Sequence, residues 1–206
     1  AGSDFYSHAE ELVKQGKLSE TDIDRAVSHI LYAKIQSGLF DQNLPDTLQW
    51  KSQIHTPEAI STARYLAEES VVLLKNKQCL PLDKTRLHSI AVIGPNADRV
   101  QFGDYSWSND KKDGVTPLEG IRQLVGNRIK INYAEGCDLY SQDEKGIAEA
   151  AELARKSDVA IVIVGTQSAL LARQSEPATS GEGYDLSDLR LPGVQEKLIQ
   201  AVMQQN

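Results

Sequence analysis

The sequence predicts a layered α/β domain over most of the chain, preceded by a helical segment. Three observations predict it. From Ser89 onward, short strand-like runs alternate with helix patterns, as in domains that layer helices on a sheet. One run, Asp158–Gly165 (DVAIVIVG), is continuously apolar, as expected for a strand of a parallel sheet buried on both faces. Before these, residues 1–40 carry apolar side chains at the helical period with no strand beside them.

The elements follow in order. His8 to Gly16 reads as a short amphipathic helix with Gly16 at its C-terminal end. Ser19 opens a better one, with Asp22 at the acid position of a capping box. Its apolar positions are Ile23, Val27, Ile30, Leu31 and Ile35; Gly38 closes it, and Leu39–Phe40 pack back after the cap. Residues 41–56 have no period and read as an extended linker. Thr56-Pro57-Glu58 is a helix start, with Thr at the N-cap and Pro at the first helical position. That helix runs to about Glu69, and Ser70–Asn76 (SVVLLKN) reads as a strand.

Ser89–Gly94 is a short buried strand, and Val115–Ile121 opens a helix with Pro117 near its first position. Arg128–Tyr133 alternates and reads as a half-exposed strand. Ser141 with Glu144 forms a capping-box pattern before a helix that packs through Ile147, Ala150, Ala151 and Ala154. No internal repeat or low-complexity tract interrupts this order.

Composition excludes several functions. Among 206 residues, 40% are hydrophobic and 25% charged, ordinary values for a globular protein. A net charge of −7 with no Lys/Arg cluster argues against a nucleic-acid partner, and Lys111-Lys112-Asp113 reads as a solvated loop. No apolar run approaches the roughly 20 residues of a membrane-spanning helix. Cys79 and Cys137 have no metal-ligand spacing and read as ordinary thiols, which pair only if the fold brings them together. His8, His29, His55 and His88 are scattered, without metal or triad spacing. Gly94-Pro95-Asn96 lacks the glycine spacing of a phosphate loop, and Pro95 removes a backbone donor. A Gly-x-Ser-x-Gly nucleophile elbow is absent. The chain starts at Ala1 without Met and stops within a helical pattern, so a piece of a longer protein is expected.

Carboxylates are left as the plausible chemistry. In Thr179-Ser180-Gly181-Glu182-Gly183-Tyr184-Asp185, an acid stands between two glycines beyond the end of a strand. Glycine on both sides permits a positive-φ turn and keeps bulk away from the carboxylate. Ligands of open α/β sheets bind beyond the carboxyl ends of strands, where such a loop lies. The plainer alternative is a surface turn whose Glu faces water. Glycosidic cleavage uses a carboxylic acid to protonate the leaving oxygen and a second carboxylate as nucleophile or base. The acid needs a raised pKa, which burial under bound substrate supplies. Glu182 fits that role, and Glu176 is its local competitor. A second loop, Gly103-Asp104-Tyr105-Ser106-Trp107-Ser108-Asn109-Asp110, mixes rings, hydroxyls and acids in a manner suited to sugar recognition. Asp104, Ser106 and Trp107 are the candidate binding residues; the alternative is a polar surface loop over Trp107.

Taken together, several phrases resemble the family 3 glycoside hydrolases, of the β-glucosidase and β-xylosidase type. They are Ile30–Phe40 (ILYAKIQSGLF), Glu69–Leu82 (ESVVLLKNKQCLPL), Ile90–Asp98 (IAVIGPNAD), Thr116–Ile121 (TPLEGI), Tyr133–Cys137 (YAEGC), Ser157–Gly165 (SDVAIVIVG) and Gly181–Gln195. They stand in family order across nearly the whole chain. The resemblance implies a TIM-type barrel followed by an α/β sandwich. Residues 1–40 then correspond to the C-terminal remnant of the barrel and 41–66 to a linker with the start of a connecting helix. Residues 67–206 correspond to an incomplete layered α/β sandwich, a flavodoxin-like sheet with flanking helices.

By the same resemblance, the activity is that of a retaining exo-β-glycosidase acting on terminal β-linked sugars, β-glucoside ahead of β-xyloside. Glu182 matches the acid/base of the family's Gly-Glu-Gly-Tyr-like motif, with Glu176 in reserve because that position varies between subfamilies. Ser106 is similar to a sugar-contacting position in some members. The nucleophilic Asp and the sugar-holding Lys-His and Arg residues belong to barrel segments absent from this sequence, so the fragment alone is expected to be inactive. Phe5 stands where members usually have Met, and Leu186 where Arg is frequent. No cofactor or metal is implied. The implied partners are a β-linked oligosaccharide or glycoside and the missing barrel of the same polypeptide, with neither nucleic acid nor membrane. Members are often periplasmic or secreted. The rival reading is a non-catalytic sugar-binding or interaction module on the same α/β domain, and a bare nucleotide-binding domain is third.

Overall fold

The computed structural model describes residues 3–42, 48–103, 105–106, 113–168 and 179–206. The chain divides into two compact units, Ala1–Lys75 and Asn76–Asn206.

The first unit holds α1 (Ser3–Lys14), α2 (Glu20–Gln36), the single turn α3 (Trp50–Gln53) and α4 (Pro57–Ser70). Its helix ends are specified locally. Ser19 caps α2 by accepting from Asp22 N–H at 3.1 Å, while its hydroxyl donates to Asp22 Oδ2 at 2.6 Å. Thr56 caps α4 by accepting from Ala59 N–H at 3.2 Å, with Pro57 in the first turn. Both α1 and α2 close with a double bond pattern around a glycine: Gly16 N–H to Val13 and Lys17 N–H to Leu12, then Gly38 N–H to Ile35 and Leu39 N–H to Lys34. α1 starts earlier than the pattern around His8 indicated. α2 and α4 bury no residue, and Ile30, Leu31, Ile35, Ile60 and Leu66 are all exposed.

The strand expected at Ser70–Asn76 does not form. Ser70 ends α4, and Val71 to Leu74 follow without regular structure, Leu74 at 91% exposure. β-Branched composition favours a strand only where a neighbour supplies the ladder bonds, and no described residue does so here.

The second unit alternates β1 (Ser89–Ile93), α5 (Pro117–Val125), β2 (Lys130–Ala134), α6 (Ile147–Arg155), β3 (Val159–Val162) and α7 (Gln195–Met203). The three strands form one parallel sheet in the order β2-β1-β3. Successive side chains of β1 point to opposite faces. Ala91 and Ile93 pack with Ala150, Ala154, Leu198 and Val202 of α6 and α7. Ile90 and Val92 pack with Leu118 and Val125 of α5. The chain leaves β1 for one neighbour through α5, then crosses to the other through α6. Right-handed crossovers in opposite directions put those helices on opposite faces, as found.

Two expectations are corrected. Asp158–Gly165 is not the doubly buried strand: β3 is shorter, half-buried throughout, and among the described residues paired on one edge only, to β1. The doubly covered strand is β1, where Ile90 to Ala97 form an unbroken buried run. Ser141 and Glu144 do not cap α6, which starts after Gly146 with no side-chain cap. Their side chains are engaged elsewhere: Ser141 Oγ accepts from Asp143 N–H at 3.0 Å, and Glu144 pairs with Lys197. The true capping box joins Thr116 and Glu119 at the start of α5, where Thr116 also donates to Asp98 at 2.9 Å.

Gly94 ends β1 at φ +123°, and a Cβ there would stand 2.1 Å from the Ile163 carbonyl oxygen. Gly94→Ala is therefore expected to lower the unfolding free energy by about 2–3 kcal/mol in a urea titration. Gly103→Ala, which meets nothing within 4 Å among the described residues, is expected to change it by less than about 0.5 kcal/mol.

Candidate functional site

Because all three strands are parallel, their C-terminal ends open on one side of the sheet. The loops leaving β1, β2 and β3 emerge together there, and the strand order reverses at β1. Open α/β sheets bind ligands at such a point.

Glu182 lies on the loop after β3. Tyr184 N–H donates to Gly181 C=O at 3.0 Å, closing a tight turn around Glu182 and Gly183. Gly181 has φ +107° and Gly183 φ +78°. Positive φ at the third position of a four-residue turn is what a type II geometry demands, so the expected glycine role is met. Glu182 occupies the second position, and its side chain is exposed. An acid raised on a turn of this kind can meet a ligand without a bulky neighbour on either side.

The base of that loop is stitched at Gln167, which is buried. Gln167 N–H donates to Thr179 Oγ1 at 2.5 Å. The Gln167 carbonyl accepts from the backbone N–H of Thr179 and of Ser180, at 3.3 and 3.2 Å. The outgoing and returning arms are thus joined two residues before Gly181. Arg99, from the loop after β1, donates to Gln167 Oε1 at 3.3 Å and stands 3.7 Å from Glu135, from the loop after β2. Deeper in, Gln195 is fully buried at the start of α7. Its Oε1 accepts from Gly165 N–H at 2.9 Å, and its Nε2 donates to Leu139 C=O at 2.8 Å and Gly165 C=O at 2.9 Å.

Of the candidate sugar-binding residues, Ser106 is exposed and its hydroxyl donates to Gly103 C=O at 2.7 Å. Asp104, Trp107 and Glu176 lie outside the described residues. The fold brings the Ser106 and Glu182 loops to the same end of adjacent strands. Sequence reasoning missed Arg99, Gln167 and Gln195. For Gln195 a signal existed: with Leu198 and Val202 it keeps the i, i+3, i+7 spacing of the buried stripe of α7, so a polar side chain stands among apolar ones.

The family described as glycosyl hydrolase family 3 C-terminal domain matches residues 71–206. The chain belongs to glycosyl hydrolase family 3. It is 40% identical over 188 residues to a β-xylosidase of Formosa agariphila, a match covering 87% of this chain and 25% of that protein. A solved β-glucosidase from Erythrobacter marinus superposes with a TM-score of 0.80 at 30% identity, over 97% of this chain and 29% of that one. A solved family 3 exo-β-xylosidase in complex with a xylobiose aziridine activity-based probe gives a TM-score of 0.79 at 29% identity, over 98% and 25%. The chain thus spans about a quarter of the length of the curated relatives it matches. The layered α/β arrangement described above is the fold of these family 3 structures.

In this family 3 chain the thiols Cys79 and Cys137 are unpaired, the first exposed and the second buried. Burial, then the charges of Glu135 and Asp138, push the Cys137 thiol up to about 11. Among the described residues no three His, Cys, Asp or Glu side chains are grouped to hold a metal, and no helix is long and apolar enough to cross a membrane. The thiolate is the reactive form. A thiol-specific disulfide reagent at pH 8 is therefore expected to modify Cys79 promptly in the native protein, and Cys137 only after denaturant is added.

Proposed function

We propose that this chain is the acid/base-bearing part of a longer retaining exo-β-glycosidase that removes terminal β-linked glucose or xylose. The observation that carries the reading is Glu182, exposed at a glycine-flanked turn beyond β3, in a chain of family 3. In this reading the nucleophile is an Asp upstream of Ala1, on a barrel of which residues 1–40 are the last helices. Residues 41–66 connect it to the sandwich domain, and Ser106, Asp104 and Trp107 contribute to the sugar site. Glu176 is the second candidate for the acid.

The chemistry needs two steps. The upstream carboxylate attacks the anomeric carbon while Glu182 gives its proton to the departing oxygen, leaving a glycosyl ester on the enzyme. Glu182, now a carboxylate, takes a proton from water as that water attacks the same carbon from the vacated side, breaking the ester and releasing the upstream carboxylate. Retention requires the two carboxyl groups to lie about 5–5.5 Å apart. Two fixed carboxylates and one water complete the cycle, so no cofactor enters the reading.

In the full-length enzyme, Glu182→Gln is expected to lower kcat about 10²–10⁴-fold on alkyl β-glycosides, whose leaving groups need a proton. Dinitrophenyl β-glycosides, whose leaving group departs unprotonated, are expected to keep glycosylation near the wild-type rate. The basic limb of the kcat/KM pH profile, set by a group that must be protonated, is expected to disappear. Equal losses on both substrate types, with the basic limb intact, would count against the reading.

The 206-residue chain alone is expected to show no turnover of aryl β-glucosides or β-xylosides above its own Glu182→Gln variant. Calorimetric titration of the same chain with glucose and xylose tests the non-catalytic alternative, which requires binding without a barrel.

A further inference from the structure

The geometry points to Gln195 as a positioning residue for Glu182: its buried carboxamide clasps the chain where it leaves the sheet and fixes the stalk of the acid-bearing loop. This inference rests on the Glu182 reading given above.

Gly165 lies three residues beyond β3, where the ladder to β1 has ended. Its last backbone bond to β1 is Ile163 N–H to Ile93 C=O at 2.7 Å. Among the described residues, no strand pairs with the chain at Gly165. Gln195 takes over, since one carboxamide accepts from Gly165 N–H and donates to Gly165 C=O, the pairing another strand would make. Its second donor goes to Leu139 C=O on the loop after β2. All three bonds go to main chain and none to a side chain. The Gln195 side chain is fully buried, so water does not replace these bonds when it is removed.

From Gly165 the connection to the acid is short. Gln167, two residues on, carries the stitch to Thr179 and Ser180, and Glu182 follows two residues after Ser180. A shift at Gly165 is handed through Gln167 to the returning arm, and so to the turn at Gly181–Tyr184. Proton transfer to a leaving oxygen is steeply dependent on placement, and an error of about 1 Å costs on the order of 10²-fold. Gln195 touches no substrate in this picture. It acts through the backbone of Gly165.

The test uses the full-length enzyme with Gln195→Met, which fills a similar volume but makes none of the three bonds. Thr179→Val is a second variant that removes the hydroxyl bonds of the stitch at Gln167, from the half-buried side, and leaves its two backbone bonds. Both are measured beside Glu182→Gln. Circular dichroism and active-site counting, by the burst of dinitrophenolate, normalise for any loss of folded enzyme. For both variants, kcat on alkyl β-glycosides is expected to fall about 10–100-fold. Dinitrophenyl β-glycoside glycosylation and KM are expected to change less than about 3-fold on the same scale, with the basic limb of the pH profile displaced. A lowered melting temperature with an unchanged rate ratio between the two substrate types would mean that Gln195 is structural only, and would overturn the inference. If Gln195→Met does not fold, Gln195→Asn, which keeps a carboxamide but draws it back by one methylene from Gly165 and Leu139, decides by the same ratio. Should Glu182→Gln itself show no leaving-group dependence, the acid/base reading fails first and the inference with it. Where Glu182→Gln shows that dependence and the other two do not, only the inference fails.

Discussion

The second unit depends on β1 being paired on both edges and covered on both faces. Ala91 and Ile93 seat α6 and α7, Ile90 and Val92 seat α5, and the ladder to β2 and β3 leaves no open edge on this strand. A parallel sheet admits such a strand only if it is apolar throughout, because neither face meets water. The close approach at its end follows from the same constraint. Gly94 lies against the Ile163 carbonyl, and Asn96 N–H reaches that same carbonyl at 3.3 Å, so the loops after β1 and β3 part from a common point. The location of the candidate site is a consequence of that parting.

Beyond the sheet the physics changes from apolar packing to polar stitching. The root of the loop that carries Glu182 is held by Gln167, Gln195 and Thr179 through bonds that involve main chain, and Arg99, from the loop after β1, donates to the Gln167 side chain. Such bonds contribute only about 0.5–1.5 kcal/mol each, but an orphaned partner in a dry site costs more than that. A loop built this way keeps Glu182 exposed while its root is fixed.

The first unit shows local specification without tertiary completion. Its helices are capped by Ser19 and Thr56 and closed at Gly16 and Gly38, yet α2 and α4 bury nothing. Caps decide where a helix starts and stops, but burial of an apolar face supplies most of the stability of helices this short. The exposed Val71–Leu74 run is the same case for a strand: side chains of high β propensity, with no ladder to join among the described residues.

How much was legible divides along the range of the forces. Thr56-Pro57-Glu58, Gly38, the Ser89–Gly94 strand and the positive-φ glycines about Glu182 were readable because caps, turns and apolar alternation act over a few residues. The family resemblance lay in the same short phrases, and the match over residues 71–206 agrees with it. Ser141 and Glu144 misled because a capping pattern competes with partners such as Lys197, distant in sequence. Which strand is central depended on distant pairings such as Ile90 with Val159, and the reach of Gln195 to Gly165 and Leu139 on bonds across 30 and 56 residues. By itself the sequence determined the alternation of elements, the acid on its turn and the family. Only the tertiary structure decided which polar side chains hold that turn, because a buried amide's partners are chosen by the path of backbone that no local pattern encodes.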